Sequence, residues 1–409
     1  MTQMKRQNFT TTIAAIAALL FIAPSVSNAQ IKDFKAWLKA PKGELTSQSF
    51  ANKKLSKADC LEASYAIDSM WLMKSAQELG PQWQRMTITH DSIKLACACR
   101  VFGAAPKDGR SLYISMHGGG HCPKEVNDEQ WMNQIYLYEP EEGVYIAPRA
   151  PWNTSDLWHR KGLDEMLEDV IRACVVFEGV NPNKVYLLGY SAGGDGVWRL
   201  APRMADKWAA ASMMAGHPGE AQQINLMNTP YMIWMGEHDH YYDRNILAKE
   251  KAQVMDSLSA VHPGKYIHSN NIIEGKGHWM DRVDTVALGW MSQYRRSPYP
   301  KQVVWRQEFV TREHFYWLAA PSDEIEQGKT VIANIDGNNI YIEKCDYTRL
   351  TIYLNDFLVD LDKKVTIYHN GKKLARIKPR RTIANLYNTL NKRNDRSYAF
   401  PCVIEVEMK

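Results

Sequence analysis

The chain has 409 residues, 45% of them hydrophobic and 23% charged, with a formal net charge of +5. That length supports more than one average domain and a large core, and the composition is that of an ordinary globular protein. With Lys5 and Arg6 assigned to a removable leader the charge falls to about +3, and no Arg/Lys stripe or RNA-binding aromatic motif appears, so nucleic acid is not an expected partner.

In chain order, the leader comes first: a positive start at Lys5 and Arg6, an apolar stretch from Ile13 to Ala23, and the small-residue site Ser27-Asn-Ala29. The apolar run is shorter than the ~18 residues that cross a bilayer. The expectation is a signal peptide over 1–29, cleavage after Ala29, export to the periplasm or medium, and no membrane span. Gln30 rather than cysteine follows the site, which argues against a lipid anchor. Residues 30–80 read as a helical segment with Leu61, Tyr65, Met70 and Met73 as its apolar positions and Pro81 as its stop. Met86-Thr-Ile-Thr and Ile93 to Phe102 then read as a hairpin around His90-Asp-Ser, entering a sheet.

Leu112-Tyr-Ile-Ser-Met reads as a strand ending in His117-Gly-Gly-Gly120. Backbone N–H groups on such a loop are suited to face developing negative charge, and Gly119 and Gly120 are equal candidates to supply one. The strand Val144-Tyr-Ile-Ala leads into the polar, aromatic loop from Pro151 to His159. This is either a substrate-binding wall presenting Trp158 or a packed surface loop. Leu163, Met166, Leu167, Val170, Ile171, Cys174 and Val175 follow helical spacing and mark a helix laid on the sheet. Asn181-Pro-Asn-Lys reads as the turn into the strand Val185-Tyr-Leu-Leu.

Between that strand and a helix from Ala192 to Ala201, Gly189-Tyr-Ser-Ala-Gly-Gly194 supplies G-x-S-x-G. Such a turn lifts the Ser191 hydroxyl clear of the sheet on strained dihedrals, and places the Ala192 N–H as a second oxyanion donor. Trp198 reads as a core filler, and Asp195 as a cap or orienting group for the elbow helix.

A serine needs a base, and the base an orienting acid. Gly236-Glu-His-Asp239 follows the strand Tyr231-Met-Ile-Trp-Met, putting Asp239 at a strand's carboxyl end, where open α/β sheets build their sites. Asp243 is its rival. His238-Asp239-His240 has no further ligand cluster beside it, so neither a metal nor another cofactor is expected. After the strand Tyr266 to Ile273, Gly275-Lys-Gly-His278-Trp279 offers a histidine that flanking glycines let bend inward, with Trp279 as a second substrate contact. A last helix, Asp281 to Tyr294, closes this part.

Arg296-Ser-Pro-Tyr-Pro300 marks a boundary, since two close prolines cannot continue a helix. The expected division is a catalytic domain over 81–297 and a β-rich domain over 298–409. In the latter, Val303 to Val310, Thr330 to Asn334, Ile340 to Ile342, Leu350 to Leu354, Lys364 to Tyr368 and Val403 to Val406 alternate like strands. Asn370-Gly371 is a hairpin turn. The reading is a small β-sandwich that either packs on its neighbour or carries a glycan platform of Trp305, Tyr316 and Trp317. Of the seven cysteines, Cys174 reads as a buried thiol, and a bridge between Cys345 and Cys402 stays open.

The runs G-Y-S-A-G-G-D-G-V-W-R-L-A and K-W-A-A-A-S-M-M-A-G, the acid after a strand and G-K-G-H-W resemble the secreted serine esterases of the α/β-hydrolase group. The chain is most similar to the polyhydroxybutyrate depolymerase, feruloyl esterase and dienelactone hydrolase branch, over about Leu112 to Tyr294. The resemblance implies a mostly parallel, doubly wound sheet with the β-sandwich appended. It also implies cleavage of carboxylic esters through an acyl-enzyme by Ser191, His278 and Asp239, in the order Ser, acid, His that elbow-type hydrolases follow. The implied substrate is a small-molecule or polysaccharide-linked ester, such as an acyl or feruloyl decoration. The three glycines after His117 depart from the branch's shorter loop and are closer to hormone-sensitive-type lipases.

Two alternatives stand beside this. Prolyl-oligopeptidase-type peptidases share the core pattern, but the roughly fifty residues before Pro81 are too few for even two ~40-residue propeller blades. Glu165 and Glu168, on a helix, show no sign of recognising an amine. The other is a non-catalytic exported glycan-binding protein with a vestigial triad, against which an intact set of residues counts.

Overall fold

The computed structural model describes residues 29–408, so the expected leader lies outside the described residues except for Ala29. Eight strands form the first sheet: β1 (Thr87–His90), β2 (Ile93–Phe102), β3 (Arg110–Met116), β4 (Gly143–Arg149), β5 (Val180–Tyr190), β6 (Ala210–Met214), β7 (Tyr231–Gly236) and β8 (His268–Ile273). Their spatial order is β1-β2-β4-β3-β5-β6-β7-β8. β1 with β2 and β2 with β4 are antiparallel, and every pairing from β4 to β8 is parallel. This is the order and direction of an α/β-hydrolase sheet.

Parallel strands need helical crossovers, and helices then bury both sheet faces. The helices are α1 (Ala29–Lys39), α2 (Lys57–Gln84), α3 (Lys124–Leu137), α4 (Leu163–Phe177), α5 (Ala192–Arg203), α6 (Arg244–Val261), α7 (Ala287–Met291) and α8 (Ile383–Arg393). Strand alternation decides which core each residue joins. Leu112, Ile114 and Met116 pack with Leu163, Met166 and Val197 of α4 and α5. Tyr113 and Tyr145 enter the opposite core with Ile135 of α3 and Leu288 and Met291 of α7.

Four local expectations are corrected. On α2, Leu61, Tyr65 and Met73 are exposed, and the buried stripe is Cys60, Ala63, Ile67, Trp71 and Leu79, which packs toward α4 and α8. Pro81 lies inside α2, which continues to Gln84. The proline removes one backbone donor, while Trp83 beyond it is buried and donates its indole N–H to Glu178 at 2.9 Å. Asn181–Lys184 is a bulge within β5: Val180 pairs with Arg110 and Val185 with Leu112. The helix expected over Asp281 to Tyr294 is a 3-10 turn, Val283–Val286, followed by the short α7.

The C-terminal strands are β9 (Gln302–Arg306), β10 (His314–Phe315), β11 (Leu318–Ala319), β12 (Thr330–Asp336), β13 (Asn339–Cys345), β14 (Arg349–Leu354), β15 (Val365–His369), β16 (Lys372–Ile377) and β17 (Cys402–Glu407). They form one sheet in the order β16-β15-β13-β12-β9 and another in the order β10-β11-β14-β17. Asn370 and Gly371 both have positive φ, as their hairpin turn requires. α8 adds a helix to the expected strands, capped by the Thr382 side chain accepting the Asn385 N–H.

Trp305, Tyr316 and Trp317 are buried, so they form no exposed glycan platform. Trp305 lies against Phe315 of the other sheet with ring centroids 6.0 Å apart, and Trp317 donates to the Pro300 carbonyl at 2.7 Å. Tyr316 reaches back to donate to the Ala205 carbonyl at 2.9 Å. Buried ion pairs cross the same boundary: Arg312 to Asp164 at 3.1 Å, Arg393 to Asp206 at 2.8 Å and Arg296 to Asp395 at 2.6 Å. Cys345 and Cys402 lie in different sheets as free thiols, and burial pushes the Cys345 thiol up to about 11.

Candidate active site

Ser191 sits between β5 and α5 with φ 58° and ψ −122°, a strained conformation for a non-glycine residue. Its N–H donates to the Met214 carbonyl at 2.9 Å, which ties the turn to the next strand. α5 starts so close to β3 that a Cβ at Gly193 would overlap the Met116 carbonyl oxygen. Close backbone approach, rather than flexibility, is what this glycine provides.

His278 Nε2 lies 2.9 Å from Ser191 Oγ, and His278 Nδ1 lies 2.7 Å from Asp239 Oδ2. Asp239 is buried, whereas the rival Asp243 is exposed at the start of α6. A carboxyl oxygen facing Nδ1 keeps the proton there, which leaves Nε2 to accept from the serine hydroxyl. Both loops are fixed by neighbours the sequence reading did not name. Asn245 N–H donates to the Asp239 carbonyl at 3.1 Å, and Asn245 Nδ2 donates to the Glu237 carbonyl at 2.7 Å. The Tyr190 hydroxyl donates to the His278 carbonyl at 2.7 Å and accepts from Met280 N–H at 3.0 Å. The residue just before the serine therefore holds the histidine loop. Its only sequence signal was its place in G-x-S-x-G.

The glycine loop resolves differently from expectation. Gly120 N–H donates to Asn127 Oδ1 at 2.9 Å, so it does not face the serine, and Gly120 is corrected as an oxyanion donor. Gly119, with φ 102°, lines the cavity over Ser191. Ala192 occupies the first turn of α5, where backbone N–H groups lack intrahelical partners. Asn127 is fully buried and clamps the loop further, donating through Nδ2 to the Gly120 carbonyl at 3.0 Å and to Asn153 at 3.1 Å.

His117 is structural. Its Nε2 accepts the Ala150 N–H at 3.1 Å, and burial lowers its pKa to about 4. Trp158 is also corrected: it is fully buried, packs edge-on against His117 with centroids 5.1 Å apart, and donates to the His117 carbonyl at 2.9 Å. It buttresses the glycine loop from behind rather than meeting a substrate. Trp279 is half exposed, lies 5.5 Å from the Tyr190 ring and lines the cavity.

That cavity has a volume of about 840 Å³ and is bounded by Ser191, His278, Gly118 and Gly119 on one side. The α3 residues Val126, Met132, Tyr136 and Leu137 form an apolar wall, with Gln130 and Asn133 among them. Glu168 is not part of this site: it is half-buried and paired with Lys207 and Arg312. Chemically, an imidazole held in this way is placed to take the Oγ proton from a serine that attacks an electrophilic carbon.

No family model matches the sequence. No curated protein matches it either. Among solved structures the chain is similar to a thermostable esterase at 16% identity and a TM-score of 0.39, covering 51% of this chain and 62% of that one. The match therefore spans about three fifths of that esterase's length. It is similar to Est1E from Butyrivibrio proteoclasticus at 16% identity and a TM-score of 0.34, covering 51% of this chain and 96% of that one. It is similar to a ferulic acid esterase at 15% identity and a TM-score of 0.32, again covering 51% and 96%.

Proposed function

We propose that this chain is an exported serine hydrolase that cleaves carboxylic esters. The observation that carries the reading is the relay from Ser191 Oγ through His278 to buried Asp239, at 2.9 and 2.7 Å, opening into a cavity of substrate size. In this reading His278 Nε2 takes the Ser191 proton as Oγ attacks the ester carbonyl. Asp239 holds the imidazole tautomer and balances the imidazolium that forms. The N–H groups of Ala192 and Gly119 receive the oxyanion. The alkoxide leaves with the proton from His278, and water, activated by the same imidazole, cleaves the acyl-enzyme. Small-molecule and polysaccharide-linked esters are both suited to so open a cavity.

The test is 4-nitrophenyl acetate hydrolysis by the purified protein beside Ser191→Ala. The expected result is turnover in the first and a loss of about 10⁴-fold or more in the second, the scale on which nucleophile removal acts. Wild-type protein that is folded but inert, or equal rates in the two proteins, would overturn the proposal.

A further inference from the structure

Resting on the ester-hydrolase reading, we infer that Arg282 makes the cavity selective for esters that carry a carboxylate. Arg282 lines the same cavity as Ser191, His278 and Trp279, and among the described residues no Asp or Glu side chain lines it. One of its N–H groups, on Nη2, donates to the Leu137 carbonyl at 2.8 Å. That bond anchors the side chain at the end of α3 and leaves most of the guanidinium's five donors available. Among the described residues, no Asp or Glu oxygen lies within 4.0 Å of it. The carboxyls of its own segment form their bonds with other groups: Asp281 pairs with Lys276 at 2.6 Å, and Asp284, although near enough for the Arg282 charge to act on it, is buried on the Tyr138 hydroxyl.

The backbone there is unusual. Asp281 and Arg282 are consecutive non-glycine residues with φ of 52° and 63°. Left-handed residues of this kind persist where their surroundings hold them, and they gather at ligand sites. A lone guanidinium, anchored by one bond and facing an apolar wall with amides at Gln130 and Asn133, offers a planar fork to a planar anion. A carboxylate on the acyl or alcohol part of the ester fits it. A plain helix-terminal role for Arg282, neutralising the carbonyl end of α3, would need only the Leu137 bond and would be blind to substrate charge.

The experiment compares kcat/KM for charged and neutral partners of matched size. On the acyl side these are the 4-nitrophenyl monoester of glutaric acid against 4-nitrophenyl butyrate, and on the alcohol side O-acetyl glucuronic acid against O-acetyl glucose. Wild type is expected to favour the anionic member of at least one pair. In Arg282→Gln that anionic-to-neutral ratio should fall by about tenfold to a hundredfold, the scale of a charge-assisted bond. Arg282→Lys should keep part of it, and raised salt should shrink the wild-type ratio. A purely structural loss lowers both members alike and leaves the ratio unmoved. No preference in wild type for either anion, or a preference equal in Arg282→Gln, overturns the inference while the neutral esters still report a hydrolase. Failure to cleave any of the four esters overturns the hydrolase reading and this inference together.

Discussion

Asn127 shows how much of a reactive centre rests on a residue that touches no substrate. It is fully buried and bonds both the N–H and the carbonyl of Gly120, fixing the loop whose Gly119 lines the same cavity as Ser191. Replacing it by alanine leaves the Gly120 N–H unpaired, at a cost of about 1–3 kcal/mol, and leaves the Gly120 carbonyl with the Cys122 N–H alone. Asn127→Ala is expected to lower kcat by roughly tenfold to a hundredfold with KM nearly unchanged, below the full value of an oxyanion donor. Asn127→Asp keeps an acceptor for Gly120 N–H and should recover part of the loss. Steady-state kinetics check this, and a fall confined to KM would count against it. Tyr190 works the same way on the other side of the serine, through the His278 carbonyl.

At the scale of elements, the turn between β5 and α5 is legible because its requirements are local. A strand, a strained serine and a helix start must fit within six residues, and small side chains at fixed offsets are the only solution. The closeness of α5 to β3 adds a steric demand. Gly193→Ala would drive a Cβ into the Met116 carbonyl, and neither backbone has room to give. A loss above about 3 kcal/mol is expected in denaturant unfolding, among the severe single substitutions. Gly277→Ala is the control. A Cβ there meets nothing within 4 Å, and stability should change by less than about 0.5 kcal/mol. Equal midpoints for the two variants would show that the packing argument is wrong. The α2 stripe, by contrast, was misjudged. Both Leu61 and Ile67 fit a helical repeat, and only contact with α4 and α8 makes Ile67 the buried one.

Over the whole molecule, burial sets the response to acid. It lowers His117 to about 4, His159 to about 3 and His314 to about 2, each from 6.5. Below 6.5 the unfolded chain takes up protons that the folded chain refuses. Stability is therefore complete above that pH and falls as pH drops toward the folded values. At pH 5 each imidazole contributes a loss of about 2 kcal/mol at most. Buried Glu308 acts oppositely: its pKa is raised from 4.5 to about 7, so it favours folding as pH falls through that window. Burial raises Asp169, Asp195 and Asp284 in the same sense as Glu308 and lowers His217 in the sense of the imidazoles. The three large imidazole shifts set the sign: stability is expected to be lower at pH 5.0 than at pH 7.5. Urea unfolding at the two pH values checks this, and an equal or higher midpoint at pH 5.0 would refute it. His314 lies beyond the Pro298–Pro300 boundary. Its part in this response comes from a C-terminal region joined to the sheet by one continuous core and by the pairs of Arg296, Arg312 and Arg393.

What could be read from the residues alone was whatever neighbouring positions encode: the parallel-sheet strands, the serine turn, Asp239 at a strand end, and the glycine-flanked His278. Strand alternation and turn chemistry are properties of a few contiguous positions. What needed the folded chain was which aromatic faces solvent and which glycine N–H is taken up inside its own loop. Trp158 and Trp279 are equally plausible contacts in sequence, yet one lies beneath His117 and the other at the cavity mouth. Gly119 and Gly120 were indistinguishable until Asn127 took the Gly120 N–H. Arg282 carried no motif, and only the fold brings it to the cavity that Ser191 also lines. Burial and hydrogen-bond satisfaction depend on partners far away along the chain, and no local pattern records them.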